Sequence, residues 1–368
     1  MRRKKIALVA AIAAAAVSMG VAGPAAAAQP DDAALRRAIA GLPSADATAA
    51  QVRVGGADGH WTGVSGQSDI RMHRAVHGNE RFRAGSVTKV FTAAVVLQLV
   101  HEHKLDLKGT VQQYLPGLLP AGYPEVRVEQ LLNYTSGLPG GDTGGRFTTW
   151  DHRKLVQAGF TQGMEFQPGT QQHYSNIGYN VLGLLIEKAT GRSYEQELRD
   201  RVLKPLQLKD TYSPGNATGI RGPHTHGYQV VKDKDGTTHL EDVTAWDQSC
   251  TWASGDLITT TADLERFMTA LFKGRVVPQP ELELMFTVPD VPMYGGGKAA
   301  YTSGLTRMTI GDKVVYGKTG ARYGYQDGIG ATRDLSRTPV YSVNATDAKG
   351  EEGNVIVGKI IKAGFGDR

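Results

Sequence analysis

Three short motifs carry side chains suited to acyl transfer. Ser86 and Lys89 stand three residues apart within Phe82-Arg-Ala-Gly-Ser-Val-Thr-Lys-Val-Phe-Thr92. On a helix those positions share a face. The Lys89 amine can then take the proton of the Ser86 hydroxyl, which is a poor nucleophile until a base does so. Serine and lysine are common, and this tetrapeptide alone also arises by chance. Tyr174-Ser-Asn176 sets a phenol and a carboxamide at alternate positions, which face the same way in an extended segment. Lys318-Thr-Gly320 follows the run Val314-Val-Tyr316. Lysine and threonine can hold a carboxylate, and a glycine beside a strand edge lets a substrate backbone approach. Singly, the second and third motifs read more readily as a helix-entry loop and a polar strand end.

The elements that must position these residues follow from hydrophobic patterning. Val52-Arg-Val54 and His60-Trp-Thr-Gly-Val64, around Ala57-Asp-Gly59, predict a hairpin. Residues 87–100 are apolar on nearly every side, which predicts a central buried helix with its N-terminus at Ser86. Further helices are predicted over 128–133, over 177–189 ahead of Thr190-Gly191, and through Leu264, Phe267, Met268 and Leu271. Thr260 and Asp263 resemble a capping box for the last, and Gly274 a stop. After Gly295-Gly-Gly297, residues 307–316, 328–332 and 339–344 predict antiparallel strands and 355–363 a final helix. β-rich ends bracketing a helical middle argue for an α/β (α+β) fold. Its antiparallel sheet is built from both chain ends and flanked by helices, with the active site in a cleft against an inserted, mainly helical subdomain. The α/β part is expected over about 29–110 and 295–368, and the helical part over about 111–294.

Residues 1–28 read as a secretory signal peptide: basic Arg2-Arg-Lys-Lys5, an apolar stretch to Val21, and small Ala26-Ala-Ala28 at the cleavage site. Export with release, without a stable membrane anchor, is expected. Of the 41 Lys+Arg, four precede Gln29; none of the 36 Asp+Glu does, so residues 29 onward carry a net +1. That balance gives no reason to propose a nucleic-acid partner. Cys250 is the single cysteine, so no internal disulfide forms and stability comes from a core. Cys250 itself reads as a small buried residue.

Together the motifs are specific. In order and type, Ser86-Val-Thr-Lys89, Tyr174-Ser-Asn176 and Lys318-Thr-Gly320 resemble those of the serine β-lactamase and penicillin-binding protein superfamily. Ser342-Val-Asn344 imitates the second motif but comes after Lys318 and reads as strand. The resemblance extends over most of the chain: Gln130-Leu-Leu-Asn-Tyr-Thr-Ser-Gly-Leu-Pro139, Phe166-Gln-Pro-Gly169, Ile186-Glu-Lys-Ala-Thr-Gly191 and Gly255-Asp-Leu-Ile-Thr-Thr-Thr-Ala-Asp-Leu264 all look like family segments. It is greatest to class C β-lactamases and to soluble D-alanyl-D-alanine carboxypeptidases and esterases.

The resemblance implies a role for each matching residue. Ser86 forms the acyl-enzyme, and Lys89, desolvated and facing Lys318, is its base. Tyr174 relays a proton, with Lys318 favouring its phenolate. Asn176 binds the acyl amide, while Lys318, Thr319 and Gly320 receive a substrate carboxylate. The backbone N–H groups of Ser86 and Ala321 form the oxyanion hole. The implied activity is that of a D-Ala-D-Ala carboxypeptidase or related D-peptide hydrolase, acting on cell-wall peptide stems or other small substrates as a monomer without cofactor. The alternatives are a class C-type β-lactamase or small-ester hydrolase, and a penicillin-binding module that acylates with little turnover. Some soluble carboxypeptidases of this group carry histidine where this chain has Lys318.

Other readings are weaker. His101-Glu-His103 and His224-Thr-His226 lack the His-Glu-x-x-His spacing of a zinc site and read as solvated, so no metal is expected. Gly295-Gly-Gly-Lys298 lacks the remaining signature of a phosphate loop, and no Gly-x-Ser-x-Gly occurs. Arg307 and Arg322 read either as carboxylate binders or as solvated surface. Trp246 and Trp252 read as core before groove.

Overall fold

The computed structural model describes residues 29–141, 144–350 and 353–366; the expected signal peptide lies outside them. Among the described residues, no helix is long and apolar enough to cross a membrane.

A seven-stranded antiparallel sheet draws on both ends of the described chain. Its strands are β1 (Ala47–Gly55), β2 (Trp61–Asp69), β3 (Arg74–Ala75), β4 (Thr306–Ile310), β5 (Lys313–Arg322), β6 (Tyr325–Thr332) and β7 (Thr338–Ala345). Their order is β3-β2-β1-β7-β6-β5-β4. The join is the β1–β7 ladder, running from Ala47 opposite Ala345 to Gly55 opposite Thr338. Both strands are central and almost wholly buried, which explains their Ala- and Val-rich composition.

Helices α1 (Asp32–Ile39) and α5 (Val355–Phe365) cover one face of the sheet, where Leu35, Ile39, Ile356 and Ile360 pack on Val52, Val54 and Val343. The other face meets the main core, which contains α2 (Thr88–His101), α3 (Asn176–Thr190) and α4 (Thr261–Phe272). Every residue of α2 is buried except Gln98, Val100 and His101. Phe91 of α2 stacks on Phe267 of α4, tying the central helix to the layer above the sheet. Truncating a buried phenylalanine of this kind costs about 3–5 kcal/mol.

Sequence signals set the helix ends. Ser175 caps α3 by accepting from the Gly178 N–H at 3.0 Å, and left-handed Gly191 ends it. Thr260 caps α4 by accepting from the Asp263 N–H.

Several elements differ from expectation. The strand predicted over 307–316 is two, β4 and β5, turning at Gly311-Asp312, and β5 continues through Lys318-Thr-Gly320 instead of stopping before it. The polar motif stays extended because β6 pairs along it, with Ile329 opposite Lys318 and Asp327 opposite Gly320. The mainly helical middle also holds a hairpin, Tyr228–Lys232 with Thr238–Asp242. His226, expected to be solvated, is half-buried between Asp242, 2.9 Å from Nδ1, and Asp69, 3.6 Å from Nε2.

Candidate active site

Ser86 lies on a tight 3-10 turn, Gly85–Val87, that leads directly into α2. The turn is braced by Thr88 Oγ1, which donates to Gly85 O at 2.7 Å and accepts from Leu257 N at 3.1 Å. Gly85 has φ +45°, and a Cβ there would stand 2.7 Å from Ala321 N. The Gly85–Val87 turn is therefore pressed against β5 at Ala321, closer than any side chain would permit. Gly320 makes the same approach possible from the strand side, since a Cβ on it would lie 2.1 Å from Ala84 O.

Lys89 follows one turn later and is fully buried. Its Nζ donates to Ser86 Oγ at 3.2 Å, Asn176 Oδ1 at 2.7 Å and Ser254 O at 2.6 Å. Three separate segments thus fix the amine beside the hydroxyl. Asn176, the first residue of α3, also donates from Nδ2 to Gly141 O at 3.0 Å.

The Tyr174 ring serves both cations: Lys89 Nζ and Lys318 Nζ each lie 4.8 Å from its centroid. Its phenolic oxygen is buried and accepts or donates no hydrogen bond among the described residues. Burial pushes the phenol well above its ordinary pKa. The expectation that Lys318 would favour a phenolate is corrected: desolvation dominates, and Tyr174 stands as a neutral O–H donor.

Lys318 projects from β5 and is 6 % exposed. Burial lowers its pKa to about 8, with Asp327 acting in the opposite sense. Its Nζ donates to Thr319 O at 2.9 Å. The outer edge of β5 pairs with β4 only as far as Gly317, opposite Thr306. Beyond that point the strand edge faces a cavity of about 740 Å³ whose lining includes Ser86, Tyr174, Asn176, Lys318, Thr319, Gly320 and Ala321. The residues singled out in the sequence therefore converge, with Lys89 directly beneath them. An open strand edge beside a nucleophile suits a substrate that adds as a short extra strand.

The family model for Beta-lactamase matches residues 26–356. The chain belongs to the beta-lactamase family. As a member it has the β-lactamase and penicillin-binding protein fold, and its solved neighbours include amidases. A D-stereospecific amidohydrolase from Streptomyces sp. is 30% identical, covers 91% of this chain and 99% of its own, and superposes with a TM-score of 0.78. D-amino acid amidase from Ochrobactrum anthropi SV3, complexed with D-phenylalanine, is 25% identical with coverages of 91% and 99% and a TM-score of 0.76. Penicillin-binding protein 4 of Amycolatopsis lactamdurans is 32% identical over 220 residues, 56% of each chain. The chain spans about half the length of such curated relatives.

Within this beta-lactamase frame, some site residues had no isolated signal in the sequence. Tyr134, with φ +62°, stacks on Tyr174 at 5.0 Å and on Tyr179 at 5.1 Å, backing the Tyr174 ring. Tyr301 joins the same cluster from the segment before β4. Ser254 contributes only its carbonyl, which no side-chain pattern reveals. Arg322 is not a solvated residue: it is 4 % exposed, lies over the Trp246 ring at 5.5 Å and donates to Cys250 Sγ at 3.9 Å. Arg307 is exposed on β4. Trp246 stacks on Tyr323, whereas Trp252 is core, stacked on His152. Among the described residues, no group of three or more His, Cys, Asp or Glu side chains is placed to hold a metal ion.

Proposed function

We propose that this chain hydrolyses amide bonds on the carbonyl side of D-amino acid residues through an acyl-enzyme at Ser86. The observation that carries the reading is Lys89 Nζ at 3.2 Å from Ser86 Oγ, on a turn pressed against the open edge of β5. Preference for the D configuration is supported by the solved neighbours, which include a D-stereospecific amidohydrolase and a D-amino acid amidase.

In the first half-reaction Ser86 Oγ bonds to the amide carbon and its proton passes to neutral Lys89. The carbonyl oxygen takes the negative charge between the N–H groups of Ser86 and Ala321. Each such donor contributes on the order of 3 kcal/mol. The C–N bond then breaks as the departing nitrogen takes a proton from the Tyr174 hydroxyl, which Lys89 replenishes. In the second half, water attacks the ester, gives up its proton through the same groups and releases the acid, restoring Ser86.

A narrower second reading, D-Ala-D-Ala carboxypeptidase action on cell-wall peptides after export, is favoured by Thr319, exposed in the cavity beside Lys318. The test is turnover of D-phenylalanine amide, its L enantiomer, a D-Ala-D-Ala peptide and a chromogenic cephalosporin, beside intact-mass timing with a penicillin. Amide release from the D substrate, absent in Ser86→Ala, is the expected result. Hydrolysis at an equal rate by Ser86→Ala, or a preference for the L amide, overturns the proposal.

A further inference from the structure

No motif includes Tyr341, yet it lines the same cavity as Ser86 and Thr319. It stands on β7 opposite Gly328 of β6, which is itself opposite Thr319 of β5. Residues in such a cross-strand row share one face of the sheet, here the face packed by α5. Gly328 makes room for the phenol, since a Cβ there would stand 2.6 Å from Tyr341 Oη. The ring therefore lies across β6, in the direction of the exposed Thr319. Tyr341 is only 5 % exposed, and its hydroxyl makes no hydrogen bond among the described residues. A buried hydroxyl without a partner is costly, and one that opens on a cavity can be satisfied by a ligand.

The cavity continues from this row along α5, where its wall is apolar: Met308 of β4 with Val355, Val357 and Ile361 of α5. Val357 and Ile361 stand one helical turn apart and face together. Val355 is 57 % exposed, so the wall presents apolar surface that the chain itself leaves uncovered. This annex lies on the side of the departing group. The Tyr174 ring, whose hydroxyl serves the leaving nitrogen in the mechanism above, stands 4.8 Å from Lys318 Nζ, and Thr319 is the next residue. A substrate laid along the free edge of β5 sends successive side chains to alternate faces. One of the two residues flanking the scissile bond thus faces α5, and the place of Tyr174 makes it the departing one.

We propose that Tyr341 is a specificity residue for the departing half of the substrate. Its hydroxyl, with that of Thr319, binds the terminal carbonyl or carboxylate oxygen of a leaving amino acid whose apolar side chain lies against Met308, Val357 and Ile361. Resting on the D-amide reading above, this names the substrate class: D-aminoacyl peptides with an apolar second residue, in preference to primary amides.

Three D-phenylalanyl substrates separate the two contacts: the primary amide, the isopentylamide, and D-phenylalanyl-leucine in the better of its two leucine configurations. The second adds the apolar group of leucine to the first, and the third adds its carboxylate. From the first to the second, kcat/KM should rise by about tenfold or more, the effect of seating a branched apolar group in a fitting pocket. Val357→Glu should abolish that rise. The gain from the second to the third should shrink by about tenfold in Tyr341→Phe, the worth of a hydrogen bond to a charged group. That variant keeps the ring on Gly328 and so keeps the packing. A wild type that prefers the primary amide, or a Tyr341→Phe that changes all three substrates by one factor as a purely structural residue would, overturns the proposal. The wild-type series decides the matter even where Val357→Glu fails to fold. If no D-phenylalanyl substrate turns over, the D-amide reading fails by itself. Labelling of Ser86 by two cephalosporins that differ only in the length of one alkyl substituent on the six-membered ring then judges the annex. Faster labelling by the longer one, lost in Val357→Glu, upholds it, and equal labelling overturns it.

Discussion

Lys89 Nζ reaches Ser86 Oγ at 3.2 Å while its remaining donors are held by Asn176 Oδ1 and Ser254 O. The amine's direction is thus set by α3 and by the segment after Trp252, not by the flexibility of a lysine stem. Lys89→Met keeps the volume and removes the base. Acylation by a penicillin, followed by intact mass, should slow by about a thousandfold, the middle of the range for general-base assistance. The variant should also melt lower, because the Asn176 and Ser254 acceptors lose a buried partner at about 1–3 kcal/mol each. Acylation at the wild-type rate would remove Lys89 from the mechanism.

Tyr174→Phe separates chemistry from folding at one position. The hydroxyl is buried without a hydrogen-bond partner, so its removal relieves a desolvation cost, while the ring remains beside both lysine Nζ atoms. Thermal stability should hold or rise. Turnover of a D-amide should fall by about a hundredfold or more, because no neutral O–H is left to protonate the departing nitrogen. A variant of unchanged rate would show that the proton reaches the leaving group by another route.

Much of this was legible in the sequence, and the exceptions have physical causes. Patterns with local rules were read correctly: the all-apolar α2, the Thr260 cap of α4, the Gly191 end of α3. The ordered motifs pointed to Ser86, Lys89, Tyr174 and Lys318, which the fold brings together beside one cavity. Non-local effects were hidden. Lys318-Thr-Gly320 looks like a strand end until β6 pairs along it. His226 looks solvated until the chain brings Asp69 and Asp242 around it. Tyr174 looks poised to ionise next to a lysine, yet the stack with Tyr134 and Tyr301 removes the water a phenolate needs.

Gly320→Ala tests the contact between β5 and the nucleophile turn. The added Cβ would meet Ala84 O at 2.1 Å and Asp327 Oδ1 at 2.6 Å, and backbone on that side cannot yield as a flexible side chain can. Strain of about 1–3 kcal/mol is expected, enough to lower Tm by several degrees. The loss of penicillin acylation should exceed what the folded fraction explains, since the strand carrying Ala321 N–H moves away from the oxyanion. An alanine variant with wild-type Tm and acylation rate would mean that the two segments are not in close contact.

The pKa of Lys318 gives a stability signature with a definite sign. In the folded chain burial lets the amine lose its proton near pH 8, whereas in the unfolded chain it does so near about 10.4. Between those values the unfolded chain binds more protons, so the free energy of unfolding attributable to this group rises with pH; below about 8 its contribution is flat. Lys318→Met removes the dependence. The Tm of the wild type relative to Lys318→Met should therefore be constant from pH 6 to about 7.5 and climb from about 8 to 10. Measured by calorimetry at constant ionic strength, a difference that falls over the upper window would mean that the folded state holds this proton more tightly than the unfolded chain does, with attraction to Asp327 outweighing burial.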